Sequence, residues 1–293
     1  MTGPPHILHP NGIDRAMEPG RIRRDSVDAG VHAPEIEMTD HRLTFEILPQ
    51  PNDSTCGPTC LHSVYRYFGE SLPLDDVIGE VGQLEQGGTL AVFLGNHALR
   101  RGYRARICTF NLQVFDPTWF GDSNVDLRAK LLQQRAAKNS ARLNEATDAY
   151  VEFLDLGGEI NMDVLTIDLI RASLEQKVPI ITGLSSTFLY GEPREVSLVP
   201  PVNGRTSAPD DVRGYPCGHF VVLYGYNAVD KTVLVADPLE SNPFDGSHLY
   251  AVNIDRAFAA IMLGIVTFDA NLLLIEPSRS TEEVDTNART HRL

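Results

Sequence analysis

Two apolar segments joined by a short turn constrain the fold of this chain more than any other feature. GHFVVLYGY (218–226) and TVLVADP (232–238) flank the turn NAVDK, which is the pattern of an antiparallel hairpin. Helical patterns dominate the chain before this hairpin. Other apolar segments predict further strands, at 43–48, 103–110, 178–184, 261–268 and 271–277. Helices followed by antiparallel strands favour an α+β domain over a doubly wound parallel sheet.

The sequence divides into a folded body and two polar ends. Residues 1–40 carry scattered charges, repeated prolines and no sustained apolar period, so we predict a flexible N-terminal arm. Residues 277–293 are polar and charged, and we predict a flexible tail. The body then covers residues 41–276 as one domain. Within it, the stretch 190–216 is rich in Pro, Gly and Asp and is long enough to be a lid over a site.

Composition limits the possible partners of the chain. Acidic residues outnumber basic ones, 39 to 25, and the formal net charge is −14. Nucleic acids and anionic membranes repel such a chain, so we expect neither as a partner. No apolar run approaches the ~20 residues of a membrane-spanning helix, and the N-terminus does not resemble a secretory signal. Four cysteines without an export signal favour reduced thiols, so we expect a cytoplasmic protein.

Cys56 lies where a coil becomes a helix. Four apolar residues have the spacing of one buried helix face: Leu61, Val64, Tyr65 and Phe68. Pro58 suits the first helical turn, and Gly57 leaves space beside the sulfur for a substrate carbonyl. A helix N-terminus has unpaired N–H groups and a partial positive charge, so it favours a thiolate over a thiol. We therefore predict that Cys56 is a nucleophile.

His219 and Asp237 are the best candidates to assist that thiolate. Histidine can accept and return a proton near neutral pH, and His219 opens the first strand of the predicted hairpin. Asp237 ends the second strand, and the two positions are centred on residue 228, within the turn. The hairpin therefore brings both side chains to the same end of the sheet. There the carboxylate would orient the imidazole and stabilise its charged form.

These segments resemble the papain-like cysteine peptidases that process bacteriocin precursors at double-glycine leaders. QPNDSTCGPTCL (50–61) resembles the nucleophile motif of that family, GHFVVLYGY its His strand and VLVADP its Asp strand. GGTLAVFLGNHALRRGYRA and LEQKVPIIT resemble the helix and strand pieces that lie between these motifs. The resemblance covers most of residues 43–240, with its motifs in the family's order.

The resemblance implies a fold and a reaction. The fold would be papain-like, with a helical half that carries Cys56 packed on an antiparallel sheet that carries His219 and Asp237. The reaction would be cleavage of a peptide or amide bond through a thioester, so the partner would be a peptide or another amide-containing substrate. Gln50 holds the position of a family glutamine whose side-chain amide, together with the backbone N–H of Cys56, stabilises the oxyanion. Each such donor contributes roughly 3 kcal/mol in comparable enzymes.

The chain departs from the family pattern at three places. Thr55 precedes the nucleophile where the family usually has an acidic residue. Residues 111–165 resemble a helical insertion, and 190–216 is longer than the corresponding loop of the family.

Three other hypotheses remain open from the sequence. Transfer of the same acyl group to an amine would make the protein an acyl transferase. A non-catalytic binding module would keep only the scaffold. Cys56, Cys60, Cys217 and His219 would be four ligands in a zinc-binding module, although Cys60 lies on an apolar helix face and His219 opens a strand. For the enzyme we expect no cofactor and no metal, with Cys60 and Cys108 as core residues, and the sequence leaves the oligomeric state open.

Overall fold

A computed structural model describes residues 41–84, 88–138, 140–202, 205–244 and 246–278. The described residues belong to one unit of the chain, Met38–Leu293. The predicted arm, 1–40, and the predicted tail from residue 279 onward lie outside the described residues. The last strand ends at Pro277, one residue beyond the predicted body, and Ser278 Oγ then donates to the carbonyl of Gly102 at 2.5 Å.

The described residues form seven α-helices and ten strands. The helices are α1 Cys56–Tyr67, α2 Leu74–Glu80, α3 Ala91–Arg100, α4 Leu127–Ala137, α5 Ala141–Asp155, α6 Ile167–Glu175 and α7 Ile254–Leu263. The strands are β1 His41–Arg42, β2 Tyr103–Thr109, β3 Glu159–Asn161, β4 Ile180–Ser185, β5 Glu195–Val202, β6 Arg205–Pro209, β7 Gly218–Asn227, β8 Thr232–Ala236, β9 Leu249–Asn253 and β10 Asn271–Pro277. Of the helices described, none combines the length and the apolar character needed to cross a membrane.

Most of the strands form one large sheet. Its order is β3-β2-β10-β4-β7-β8-β9, and β1 pairs with the far end of β7. β2 and β3 are parallel, whereas every other strand pair among the described residues is antiparallel. β5 and β6 form a separate two-stranded sheet. Helices packed on a largely antiparallel sheet confirm the predicted α+β class.

Helix α1 packs against β7 and thereby places Cys56 beside the central hairpin. Three residues of its predicted apolar face are fully shielded from solvent: Leu61, Val64 and Tyr65. Complete burial of a side chain of this kind stabilises the fold by about 2 kcal/mol. The buried thiol of Cys60 donates to the carbonyl of Phe220 at 3.3 Å, so a hydrogen bond also joins α1 to the strand that carries His219.

The strand predicted at 43–48 is wrong, because the paired residues lie just before this segment. Only His41–Arg42 pairs with β7, opposite Tyr226 and Gly225, although Leu43 N still donates to Tyr224 O at 2.9 Å. β4 occupies the same edge of β7 from Leu223 toward its start, so no free edge remains for the residues that follow. The side chains of this segment still alternate between core and solvent, as in a strand, but its backbone does not continue the pairing with β7.

The strand predicted at 261–268 is also wrong, because this segment ends α7 and continues into a 3₁₀ turn, Gly264–Thr267. The side chain of Asn253 starts α7 by accepting hydrogen bonds from the N–H groups of Asp255 and Arg256, at 3.0 and 3.2 Å. A short apolar run fits a buried helix as well as a strand, and this cap decides for the helix.

The region 124–178 is mainly helical and contains α4, α5 and α6. The short strand β3 within it was not predicted and pairs with β2 in parallel. Helix α5 packs on α3, with the buried Phe153 ring against Gly95, so the predicted insertion contributes to the same core.

A buried aspartate just before β10 caps α3. Asp269 lies two residues before β10, and its Oδ2 accepts a hydrogen bond from the N–H of Ala91, the first residue of α3, at 2.8 Å. That N–H has no partner within its own helix. Asp269 Oδ1 accepts from Asn271 Nδ2 at 2.5 Å. Burial raises the pKa of Asp269 to about 7, against the opposing effects of these hydrogen bonds and of the charge on Arg142.

We expect Asp269 to make the stability of the fold depend on pH. Since its pKa is raised to about 7 in the folded protein, the folded chain keeps the proton between about pH 4 and that value, whereas the unfolded chain loses it. The contribution of Asp269 to the free energy of unfolding therefore falls as the pH rises through this window. Its upper limit is on the order of 4 kcal/mol, from about three pKa units at about 1.4 kcal/mol each.

Asp269→Asn removes this titration, so the variant should gain stability relative to the unmodified protein as the pH rises. Asp126→Asn is the matched control, because Asp126 also caps a helix, through Ala129 N at 3.0 Å, but is exposed to water. Urea denaturation at about pH 4, 5.5 and 7 measures the three proteins. Parallel stability curves for Asp269→Asn and the unmodified protein would contradict this account.

Candidate active site

The first turn of α1 begins at Cys56, as the sequence predicts. Cys56 is 9% exposed, so its thiol lies at the edge of the core rather than on the open surface. Within the described residues, the N-cap residue Thr55 makes no side-chain cap to this helix. The N–H groups of the first turn therefore point toward the thiol end of α1 without a competing anionic cap, and they favour a negative charge there.

The hairpin of β7 and β8 brings His219 and Asp237 together. Val222 pairs with Ala236, so His219 lies before this pair on β7 and Asp237 directly after it on β8. His219 Nε2 and Asp237 Oδ1 are 2.8 Å apart. His219 is 7% exposed and Asp237 is fully buried, so water does not compete for this contact.

The His219 ring also lies next to the Cys56 thiol, and the interaction between them shifts the pKa of both groups. Because Nε2 of the ring faces Asp237, Nδ1 is the nitrogen left for the sulfur. The three side chains therefore form a continuous chain of contacts from thiol to imidazole to carboxylate. They come from the start of a helix, the start of a strand and the end of its neighbour.

The charges in this chain of contacts stabilise one another. Burial raises the pKa of the Cys56 thiol, but the hydrogen bond and the charge of His219 outweigh burial and hold that pKa below its ordinary value. Burial lowers the pKa of His219, whereas the charge and hydrogen bond of Asp237, with a smaller contribution from Cys56, raise it to about 10. Both shifts therefore favour a Cys56 thiolate beside a His219 imidazolium over the neutral pair.

The pKa values of the other three cysteine thiols are raised rather than lowered. Burial raises the pKa of Cys60, with further repulsion from the charges on Cys56 and Asp237. Burial raises the pKa of Cys108 to about 11, and burial followed by the charge of Glu195 raises that of Cys217 to about 12. Only Cys56 among the four cysteines is predisposed to be a thiolate.

The four residues considered as zinc ligands do not converge. Among the described residues, no group of three or more His, Cys, Asp or Glu side chains is placed to hold a metal ion. The Cys60 thiol is directed to the carbonyl of Phe220, and Cys217 lies nearest the carbonyl of Tyr215, at 3.9 Å.

Asp237 has partners that the sequence analysis did not single out. Its Oδ1 also accepts from Leu239 N at 2.8 Å, and its Oδ2 accepts from the hydroxyls of Tyr190 at 2.6 Å and Tyr250 at 2.5 Å. Burial would raise the pKa of Asp237, but the charge and hydrogen bond of His219 and the two phenols lower it to about 2. The carboxylate is therefore ionised at neutral pH.

Gln50 lies near Asp237 through its backbone, since its N–H donates to the carbonyl of Pro238 at 2.9 Å. Its side-chain Nε2 donates to the carbonyl of Asn52 at 2.9 Å, and its Oε1 is buried without a hydrogen-bond partner among the described residues. The amide is therefore held within the loop that precedes Cys56. Its predicted contact with an oxyanion stays a prediction.

A cavity of about 210 Å³ opens beside Cys56 and His219. Thr89 lies on its helical side, and Gly183 and Gly218 lie on its sheet side. A Cβ atom on Gly57 would lie 2.4 Å from Thr89 Cγ2, so this glycine makes room for Thr89 rather than for a substrate carbonyl. The expected reason for Gly57 is therefore wrong.

The lining of this cavity also contains residues that sequence reasoning missed. Asp269 and Thr267 lie there, and Arg142 reaches it from the second position of α5. The Arg142 guanidinium donates to the carbonyl of Thr267 at 2.8 Å and lies 4.7 Å from the ring centre of Phe268. The predicted insertion thus supplies a side chain to the cavity. No local pattern around Arg142 signals this position.

The stretch 190–216, predicted as a long loop, instead contains the hairpin of β5 and β6. Thr206 Oγ1 on β6 donates to Asp53 Oδ2 at 3.2 Å, and Asp53 lies on the rim of the cavity. The base of the hairpin is closed by backbone hydrogen bonds between Glu195 and Tyr215, at 3.0 and 2.8 Å. The hairpin therefore contacts the loop that precedes Cys56.

The chain was compared with curated proteins and with solved structures. No curated protein matches the sequence. Similar solved structures include a C39-like peptidase from Bacillus anthracis, with 14% identity and a TM-score of 0.44 over 83% of this chain and 100% of the other. The peptidase domain of Streptococcus ComA, a bifunctional ABC transporter, has 13% identity and a TM-score of 0.37 over 80% and 99%. Xylellain, a cysteine protease from Xylella fastidiosa, has 15% identity and a TM-score of 0.37 over 82% and 86%.

The family model described as the Peptidase_C39-like family matches residues 42–261. This match includes Cys56, His219, Asp237 and both strands of the central hairpin, and it spans well over half of the sequence. The resemblance found in the sequence motifs is thereby confirmed, and the chain belongs to the Peptidase_C39-like family.

Proposed function

We propose that the protein cleaves a peptide or amide bond with Cys56 as the nucleophile, His219 as the acid and base, and Asp237 as the carboxylate that orients His219. The observation that carries this proposal is the buried chain of contacts from the Cys56 thiol through His219 to Asp237, at the wall of a cavity. Membership of a peptidase family supports a peptide as the substrate class.

The first half of the reaction forms a thioester. The Cys56 thiolate attacks the carbonyl carbon of the scissile bond, and a C–S bond forms as the carbonyl oxygen becomes negative. The His219 imidazolium then gives its Nδ1 proton to the leaving nitrogen, and the C–N bond breaks. The amine product departs, the acyl group stays on Cys56, and His219 is left neutral.

The second half releases the acyl group to water. Neutral His219 takes a proton from a water molecule, whose oxygen attacks the thioester carbon. The C–S bond breaks, the carboxylic acid product departs, and the thiolate–imidazolium pair is restored. Asp237 keeps the imidazole oriented through both halves and stabilises its charged form without becoming protonated.

The oxyanion formed in each half requires donors near Cys56. We propose that the backbone N–H of Cys56 and the side-chain amide of Gln50 supply them. Gln50 precedes Cys56 in the same loop, and its backbone is tied to Pro238 next to the triad. One donor of this kind contributes about 3 kcal/mol to stabilising the transition state.

A reducing compartment suits this chemistry, and we propose the cytoplasm. Each of the four cysteines is a free thiol, and Cys56 has to remain reduced to act as a nucleophile.

Cys56→Ala should abolish cleavage, with a loss of at least ~1000-fold, because it removes the attacking atom. Cys60→Ser is the matched control: it lies one helical turn away, and its hydroxyl can still donate to Phe220 O. This control should keep activity within about tenfold of the unmodified protein. Digestion of a peptide library, read by mass spectrometry, measures all three proteins.

The same library separates the competing hypotheses. Products larger than their parent peptides would show transfer to an amine. Alkylation of the intact protein near pH 6.5 should modify Cys56 alone, since the pKa values of the other three thiols are raised. An inert Cys56 together with an uncut library would leave only a binding module.

We also propose that β5 and β6 cover a substrate bound in the cavity. β6 touches Asp53 on the rim of the cavity, and Val199 on β5 is 91% exposed, so an apolar side chain of the hairpin is free to meet a peptide. A two-stranded sheet held at its base suits such a covering element.

A covalent peptide inhibitor on Cys56 should slow tryptic cleavage after Arg194 and Arg213, the exposed arginines that flank the hairpin. The bound peptide would hold the hairpin against the body and make both bonds less accessible. Peptide mapping over time gives the cleavage rates, with cleavage after Arg104 on β2 as the internal reference. If the inhibitor leaves the cleavage rates after Arg194 and Arg213 unchanged relative to the rate after Arg104, the hairpin does not cover the substrate.

A further inference from the structure

Asp237 receives more hydrogen bonds than contact with His219 alone requires. Its Oδ1 accepts from His219 Nε2 and from Leu239 N, both at 2.8 Å. Its Oδ2 accepts from Tyr190 and Tyr250, at 2.6 and 2.5 Å. One oxygen therefore faces the imidazole, and the other is held by two phenols.

Tyr250 reaches the carboxylate along the sheet. In the pairing of β8 with β9 it lies opposite Val235, and Asp237 follows two residues later on the same face. Residues directly opposite one another on antiparallel strands have adjacent side chains, so a long tyrosine side chain extends to the next position on that face.

Tyr190 arrives from another direction. It belongs to a π-helical turn, Thr187–Gly191, that follows β4 and precedes the β5–β6 hairpin. Arg256 on α7 holds this turn by donating to the carbonyls of Leu189 at 2.8 Å and Phe188 at 3.2 Å. The position of the Tyr190 hydroxyl therefore depends on tertiary packing and not on its neighbours in the sequence.

An aromatic cluster immobilises both phenol rings. Phe244 lies 4.3 Å from the Tyr250 ring and 6.0 Å from the Tyr190 ring, measured between ring centres. The Tyr190 ring also lies 6.2 Å from the ring of His219. Packed rings of this kind restrict rotation, so the two hydroxyls are directed at Asp237 before any substrate binds.

The two phenols keep their protons at neutral pH and so remain hydrogen-bond donors. Burial, followed by the negative charge of Asp237, raises the pKa of both Tyr190 and Tyr250. The titratable groups that face Asp237 or lie next to it are His219, Cys56, Cys60, the two tyrosines and His248, whose Nδ1 is 2.7 Å from the Asp237 carbonyl.

We propose that Tyr190 and Tyr250 are positioning residues, which lock the Asp237 carboxylate so that Oδ1 stays on His219 and the thiolate–imidazolium pair is maintained. This inference rests on the proposed function. Two donors on Oδ2 hold the carboxylate in place. Without them Oδ2 would have no hydrogen-bond partner, and the carboxylate could turn away from the His219 ring. Among the described residues that line the cavity beside Cys56, neither tyrosine is present, so their effect on a substrate is indirect.

The test uses Tyr190→Phe, Tyr250→Phe and the double variant, which keep the rings and remove only the hydroxyls. Tyr67→Phe is the matched control, because its hydroxyl donates to a backbone carbonyl, that of Lys177 at 3.0 Å, away from Asp237. The measurements are kcat and KM for a peptide found in the library and the pH dependence of alkylation at Cys56. Thermal unfolding of each variant is recorded alongside.

Each single variant should lower kcat about threefold to tenfold with KM nearly unchanged. The double variant should lose more than the product of the two single losses, because the hydroxyls share one oxygen and each partly covers for the other. The midpoint of Cys56 alkylation should move up by about half a pH unit or more in the double variant, as a loosened Asp237 stabilises the imidazolium less. Tyr67→Phe should shift neither kcat nor this midpoint.

Unchanged kcat and alkylation midpoints in all tyrosine variants would overturn the positioning role, even if the variants melt at lower temperature. A downward shift of the midpoint would overturn it as well. Should the double variant fail to fold, the midpoints of the two single variants decide. Failure of the proposed function looks different: the unmodified protein would then show an ordinary alkylation midpoint at Cys56 and no Cys56-dependent cleavage.

Discussion

Burial of the Asp237 carboxylate removes its hydrogen bonds to water, and the protein donors that replace them determine the geometry around Cys56. Burial of an ion costs several kcal/mol even after the surroundings relax. A hydrogen bond to a charged group returns roughly 1.5–3 kcal/mol, so the four donors around Asp237 together match a cost of that size. The donors come from β7, from the segment after β8, from β9 and from the π-helical turn. The charge is therefore tolerated only when the sheet, that turn and α7 are assembled.

The charge of Asp237 also affects the sulfur of Cys56, through His219. An ionised carboxylate raises the pKa of His219, and the resulting imidazolium lowers the pKa of Cys56. Helix α1 completes the arrangement, because its first turn favours a negative sulfur and its buried face fixes the distance to β7. The hydrogen bond from Cys60 to Phe220 links the residue one turn after Cys56 to the residue after His219. The two cysteines of the motif thus have different tasks, one facing the cavity and one tying the helix to the strand.

The parts of this site that are local in the sequence could be predicted, and the parts that depend on distant contacts could not. A proline in the first turn and an apolar period place the start of α1 at Cys56, and the symmetry of the hairpin about its turn brings His219 to Asp237. Tyr190 has no such signal, since only α7 and the aromatic cluster direct it to the carboxylate. The strand predicted at 261–268 is wrong because a short apolar run has no period of its own and fits a buried helix equally well. The pairing of 43–48 failed because β4 already holds that edge of β7, which no local pattern reveals.

Two buried aspartates near Cys56 show how the surroundings, and not burial alone, decide the state of a carboxyl group. Burial raises the pKa of both, yet Asp237 has a pKa of about 2 and Asp269 of about 7. Asp237 faces an imidazolium and three further donors, whereas Asp269 accepts from two neutral N–H groups and has Arg142 only as a neighbouring charge. Near neutral pH Asp237 therefore stays ionised, whereas Asp269 holds a proton for part of the time. Burial thus leaves a lasting negative charge beside His219 but a carboxyl group that titrates just before β10.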